Sequence, residues 1–241
     1  LLDLMYVEDP ATVLAERVQS FDPELIALSI RNIDSTWMHS PNWAVPEARR
    51  LTDVVRENAD CPIILGGAGP SLVATDLLKA LDLKIGVVGE GELVAPRIAR
   101  ALRDGTSLED VPGIVVRGKQ RIHNPPEHVD MWDHFGPAHD LIDYEPYVLD
   151  GGGVGIQTKR GCAFNCVYCN YPVLEGRKYR RRDPEKIADE IQAVIEGQGI
   201  VDVAGLLDVY LAAVHKGLAV AGVSRGEHAV EHVDARSDGE Q

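Results

Sequence analysis

Short apolar runs alternate with segments in which apolar residues recur at every third or fourth position through the first half of the chain. Runs at 1–7, 25–30, 62–65 and 85–88 are rich in Leu, Ile and Val and predict β-strands. Between them, residues 11–18, 45–56, 71–81 and 93–103 carry one apolar stripe each and predict helices that bury that stripe. Pro46 suits the first turn of the second helix. Strands alternating with amphipathic helices predict an α/β unit built on a parallel sheet. Residues 114–117 and 121–123 flank Gly118-Lys119-Gln120 and predict a hairpin that closes this unit.

The pattern then changes. Residues 123–150 carry Pro125, Pro126, Pro137 and Pro146 with little apolar periodicity, which predicts a linker without regular elements. Residues 155–158 predict a short strand, and 184–196 a helix capped by Asp183 with Ile187, Ile191 and Val194 inward. Past Gly199 one further helix is expected at 206–215, then a polar tail from Arg225 to Gln241 too poor in apolar surface to order. No additional strand is expected between 200 and 241. The expected organisation is therefore an α/β domain over 1–122, a linker over 123–150, a second unit beginning at 151–199, and an atypical, partly disordered stretch over 200–241.

Composition narrows the function classes. In 241 residues, 45% of them apolar, the formal net charge is -14, which disfavours a broad nucleic-acid or membrane-surface binder because either needs a basic face toward phosphates. Any anion site must be local. No run approaches the roughly 20 apolar residues that span a bilayer, and the start lacks the basic region of a secretory signal, so a cytoplasmic protein is expected. Three of the four cysteines fall between positions 162 and 169, a clustering that points to metal rather than to a disulfide scaffold.

Cys162, Cys166 and Cys169 are spaced C-x3-C-x2-C, which lets three thiolates take three irons of a 4Fe-4S cubane and leaves the fourth iron open to a ligand. Zinc would need a fourth ligand such as Cys61 or a histidine, and no histidine lies between Asp140 and His215. An electron-transfer cluster would complete four thiolates. The loop, with Tyr168 in the aromatic position before the last cysteine, resembles the signature of radical S-adenosylmethionine (SAM) enzymes. The resemblance implies that the open iron chelates the amino and carboxylate groups of SAM, that an electron from the cluster cleaves SAM to methionine and a 5′-deoxyadenosyl radical, and that Tyr168 lies beside the adenine. It further implies a small-molecule substrate and a reductant such as flavodoxin or ferredoxin. Lys159, Arg160, Arg177, Lys178, Arg180, Arg181 and Arg182 crowd around the loop, either to receive an anion or to pair with Glu175, Asp183 and Glu185.

Gly66-Gly67-Ala68-Gly69 and Gly89-Glu90-Gly91-Glu92 each follow an expected strand, so two glycine turns should share the carboxyl edge of one sheet, where a strand-order switch point would hold a ligand. Together with Ser29 after the earlier strand, this order resembles the cobalamin-binding domain of cobalamin-dependent radical SAM proteins over roughly residues 1–199. The implied architecture is a Rossmann-like cobalamin-binding domain followed by the start of a radical SAM (β/α) partial barrel. The implied chemistry is methyl transfer or radical rearrangement, with Ser29, Gly66 and Gly67 lining the channel for the cobalamin nucleotide tail. No Asp-x-His-x-x-Gly string occurs to supply a histidine to cobalt, so the implied state is base-off and histidine-free. The first strand of that domain is expected to be missing, and the barrel is expected to be incomplete after one β-α unit. The alternative reading is an inactive remnant that keeps only cobalamin or cluster binding.

Overall fold

In a computed structural model, which describes residues 1–35, 39, 42–118, 122–132, 136–198 and 203–204, the apolar runs and stripes assemble largely as their spacing dictates. The first unit comprises α1 (Pro10–Phe21), β1 (Ile26–Ser29), α2 (Ala44–Asn58), β2 (Ile63–Gly66), α3 (Ala68–Ala80), β3 (Ile85–Val87), α4 (Gly91–Asp104), β4 (Ile114–Val116) and β5 (Ile122–His123). Asp9 caps α1 by accepting the Thr12 amide, which satisfies one of the free donors at the helix start. Strands β1, β2 and β3 run parallel and in chain order, while β4 and β5 complete the five-stranded sheet antiparallel.

Right-handed crossovers between neighbouring parallel strands put α2 and α3 on one face of the sheet. Ile63 and Leu65 pack there with Ala48, Val55, Ala74, Leu77 and Leu78. On the other face, Ile64, Ile85 and Val87 pack with Val94 and Ile98 of α4. The two-residue period of β2 thus feeds both layers. The strand order does not reverse among the described residues, so the expected switch point in strand order is not formed. The exits nonetheless diverge: the turn after β2 leads to α3 on one face and the turn after β3 to α4 on the other.

Further expectations are corrected. Residues 1–7 form no strand. The segment is instead tied by side chains, with Tyr147 donating to Asp3 at 2.7 Å and Tyr6 donating to Asp150 at 3.1 Å. The linker is not free of regular structure, since a 3-10 turn covers His139–Leu141 and α5 spans Glu145–Leu149. Pro146 lies in the first turn of α5, where its missing N–H costs nothing. Finally, 200–241 does contribute a strand: β9 (Val203–Ala204) pairs in parallel with β6 (Val154–Gly155). With α7 (Pro184–Gln198) between them, β6 and β9 form a β-α-β unit.

The second unit also contains β7 (Lys159–Arg160), α6 (Tyr171–Leu174) and β8 (Arg180–Arg181), with β7 and β8 paired antiparallel. The short strand expected at 155–158 is displaced to β6 and β7 on either side. Asp183 accepts the Glu185 amide at 3.0 Å, and Ile187 and Val194 are buried against Val154 and Ile156 with Ile191 packed beside them. No helix among the described residues is long and apolar enough to cross a membrane. The expected helix at 206–215 and the polar tail lie outside the described residues, as do the hairpin positions 119–121.

Candidate functional site

The cysteine loop is the connection between β7 and β8, and its two ends are pinned. Lys159 pairs with Arg181 and Arg160 with Arg180 across the ladder. The Gly161 amide donates to the Glu175 carboxylate at 2.9 Å and the Cys162 amide to the Gly176 carbonyl at 3.0 Å. Gly161 has φ +83°, and a Cβ there would collide with the Lys178 carbonyl oxygen. Between these clamps the Cys169 amide donates to the Cys166 carbonyl at 3.2 Å, which turns the last two cysteines about one bend. Cys162 and Cys169 are half-buried, and Cys166 is exposed.

Tyr168 is 86% exposed, so most of its ring is open to solvent. The half-exposed Tyr179, which sequence reasoning did not single out, brings its hydroxyl to 3.9 Å from the Cys162 sulfur, and the Lys159 ammonium stands 5.1 Å from its ring centroid. Among the described residues no three His, Cys, Asp or Glu side chains converge on a point as a single ion requires. A cubane makes a different demand, because each thiolate takes its own iron. The donor set of three accessible thiols on one clamped loop fits a cluster with one iron left open. Cys61 precedes β2 at the amino edge of the sheet, where burial and the nearby Asp60 and Asp22 push its thiol pKa up.

At the carboxyl edge, Ser29 ends β1 and Gly66 ends β2, and the two are register partners; Gly89 lies just past β3. All three therefore share one edge. Ser29 is exposed, and a Cβ on Gly66 would meet only Val87 at 3.8 Å, so this part of the edge leaves space for a ligand. Gly67 differs. Its φ is +102° and a Cβ would lie 2.5 Å from the Ile30 carbonyl oxygen, so the chain's own packing requires that glycine. The Ser71 hydroxyl joins the two turns, donating to the Gly67 carbonyl at 2.8 Å and accepting the Gly89 amide at 2.9 Å.

Three of the seven basic residues around the loop, Arg160, Arg180 and Arg182, are paired with acids, and not with the acids expected. The Glu90 side chain, 5% exposed, accepts both Arg180 guanidinium nitrogens and, at 2.6 Å, the Val129 amide. Arg160 stands 3.5 Å from Glu90 and donates to Glu92 at 2.5 Å, and Arg180 also donates to the Glu175 carbonyl at 2.9 Å. The glycine turn after β3 is thereby bonded directly to both strands that bracket the cysteines. A second buried network lies beneath. Arg182 pairs with Glu190 and donates to the Gln157 carbonyl at 2.8 Å, and Glu190 meets His139 at 2.9 Å, whose other ring nitrogen meets Tyr144 at 2.8 Å. Lys159, Arg177, Lys178 and Arg181 remain exposed around the loop.

Burial pushes the Glu90 carboxyl up, but the Arg180 hydrogen bonds, the Val129 amide and the Arg160 and Arg180 charges outweigh it and hold the pKa below the ordinary glutamate value. A carboxyl depressed in the folded chain adds stability that is present above its unfolded value and is lost as pH falls through its folded one. The urea midpoint should therefore drop as pH is lowered through that acid window. The Glu90→Gln chain should show a flatter profile there, and two parallel profiles would contradict the linkage.

No family model matches the chain. It is 30% identical over 210 residues to the hopanoid C-3 methylase of Methylococcus capsulatus, covering 84% of this chain and 38% of that protein. It is 32% identical over 197 residues to the anaerobic magnesium-protoporphyrin IX monomethyl ester cyclase of Synechocystis, covering 79% of this chain and 38% of that protein. The chain thus spans about two fifths of the length of these curated relatives. The structure of the radical SAM methyltransferase TsrM from Kitasatospora setae, with cobalamin and a [4Fe-4S] cluster bound, superposes with a TM-score of 0.73 at 25% identity, over 89% of this chain and 45% of that one. The parallel-sheet unit, the clamped three-cysteine loop and these likenesses agree: in sequence and in fold the chain is similar to radical SAM proteins that bind cobalamin and a [4Fe-4S] cluster.

Proposed function

We propose that the chain binds a 4Fe-4S cluster through Cys162, Cys166 and Cys169, SAM at the open iron beside Tyr168, and cobalamin at the carboxyl edge lined by Ser29, Gly66 and Gly67, for methyl transfer or radical rearrangement on a small molecule. The observation that carries this reading is the placement of the three thiols on a loop bonded, through Glu90 and Glu92, to the open edge of the sheet. Of the two glycines, Gly66 leaves space at that edge, while Gly67 shapes the turn that carries it.

When bound, the cluster and SAM supply a reducing electron and a 5′-deoxyadenosyl radical, and cobalamin supplies a methyl group. The chain's own residues bind and orient. The β7–β8 ladder fixes the first cysteine, the exposed Tyr168 offers a flat surface for an adenine, and the Ser29 hydroxyl can hydrogen-bond a polar ligand group. In the proposed organisation, residues 1–122 hold cobalamin and 151–199 the cluster, with 123–150 as the linker. The exposed Lys159, Arg177, Lys178 and Arg181 give an acidic cytoplasmic reductant such as flavodoxin or ferredoxin a complementary surface.

The test is anaerobic reconstitution with iron and sulfide. The chain should gain a brown chromophore that is lost in Cys162→Ala, Cys166→Ala and Cys169→Ala and kept in Cys61→Ala. With SAM and a strong reductant the loaded chain should release 5′-deoxyadenosine. A chromophore that also needs Cys61 would indicate four-thiolate ligation and overturn the reading.

A further inference from the structure

The glycine turn after β3 sends a buried acid into the cluster-bearing half of the molecule, 90 residues away in sequence. Glu90 is sheltered from water, accepts one backbone amide and two guanidinium nitrogens, and has a second arginine 3.5 Å away. Those two arginines face each other in the ladder, as the pair that directly adjoins the cysteine loop. Arg180 reaches further, to the Glu175 carbonyl, and the Glu175 side chain holds the amide of Gly161, next to Cys162. His128 faces the same carboxylate at 3.7 Å, and Glu92 holds the other end of Arg160. Charge-assisted hydrogen bonds, linked through the covalent frame of Glu175, therefore connect the sheet edge to Gly161, the residue before the first cysteine.

We propose that Glu90 is a positioning residue for the cluster: acting through Arg180 and Arg160, it fixes the Cys162 end of the loop against the sheet edge and balances the arginine charge beside the cluster. The proposal rests on the cluster assignment made above. Two arginines face two glutamates at this joint, so their charges cancel. Converting Glu90 to glutamine preserves shape and leaves two guanidinium cations facing Glu92 alone. An uncompensated cation near a cluster favours the reduced form, which carries one more electron, so the reduction potential rises.

Two readouts on the full chain test this. In the cluster-free protein, hydrogen exchange at the Gly161 and Cys162 amides should run roughly ten- to hundredfold faster in Glu90→Gln, the loss expected for charge-assisted hydrogen bonds. In the reconstituted protein, the midpoint of the cluster's reduced-state electron paramagnetic resonance signal should move to a higher potential. Glu92→Gln, more exposed and bonded to Arg160, should show both effects more weakly; it carries the test if Glu90→Gln fails to fold. Glu47→Gln, which breaks an exposed pair with Arg50 on α2, should change neither. Unchanged exchange at the two amides, or a potential that stays or falls in a fully loaded variant, overturns the proposal. If the wild-type chain takes up no cluster, the cluster assignment fails, and the exchange measurement alone decides whether Glu90 holds the loop.

Discussion

Replacing Arg182 by methionine should lower the unfolding free energy by roughly 2–4 kcal/mol, read as a fall in the urea midpoint at constant slope. The Arg182 side chain is 1% exposed and that of Glu190 is 7% exposed, so the pair is screened very little by solvent. Removing one partner of a buried pair typically costs about 3–5 kcal/mol, because the other charge stays behind uncompensated. Part of that is recovered here. The Nε–H of Arg182 is buried and has no hydrogen-bond partner among the described residues, and methionine removes this donor, worth about 1 kcal/mol. The variant also frees the Gln157 carbonyl and takes from Glu190 its guanidinium partner, leaving His139 beside it, so the net sign stays destabilising. A change within experimental error would mean that the pair costs as much to desolvate as it returns.

The second large effect is expected at Gly161, where alanine should weaken cluster uptake, measured as iron and sulfide per chain, by roughly five- to a hundredfold. Holding a non-glycine residue at φ +83° costs about 1–3 kcal/mol, and each 1.4 kcal/mol is a tenfold change in an equilibrium. The added methyl also meets the backbone oxygen of Lys178, an atom of the facing strand region that cannot rotate away. The ladder between β7 and β8 must therefore open to admit it, which separates Cys162 from the Gly176 carbonyl that holds it. Far-ultraviolet circular dichroism should change little, since the five-stranded sheet and its helices are untouched. Full uptake by Gly161→Ala would show that the clamp is not needed for ligation.

The sheet was legible where burial pattern and chain neighbours coincide. Residues 62–65 read as a strand because Ile63, Ile64 and Leu65 are buried on both faces, and a parallel strand between helices has that composition. Residues 1–7 look similar in hydrophobicity, but Leu1 and Met5 are 84% and 69% exposed and no strand pairs with them. Hydrophobicity without a partner does not make a strand. Pro146 read as a breaker because the same residue that ends a helix interior is favoured in a first turn, and only the position of the helix start decides. The two-residue strand β9 is too short for any period to mark it.

Within the candidate site, the three cysteines were legible because their spacing alone carries the chemistry. Glu90 was not, although its string Gly-Glu-Gly-Glu was visible. The partners of a buried acid lie wherever the fold brings cations, and here they come from 90 and 70 positions further along the chain. The acids nearest in sequence to the arginines, Glu175 and Asp183, turned out to use their oxygens on backbone amides instead.

The same long separations bear on how the molecule assembles. Bonds from Asp3 to Tyr147, from Glu90 to Arg180 and from Glu92 to Arg160 close loops of 144, 90 and 68 residues. Such contacts return nothing until the chain between them has paid its closure entropy, so they form after the helices and the local strand pairs. The tie between the cysteine bracket and the sheet edge is thus completed late in folding, and the three thiols are open to iron, oxygen or one another before Glu90 and its arginines have met.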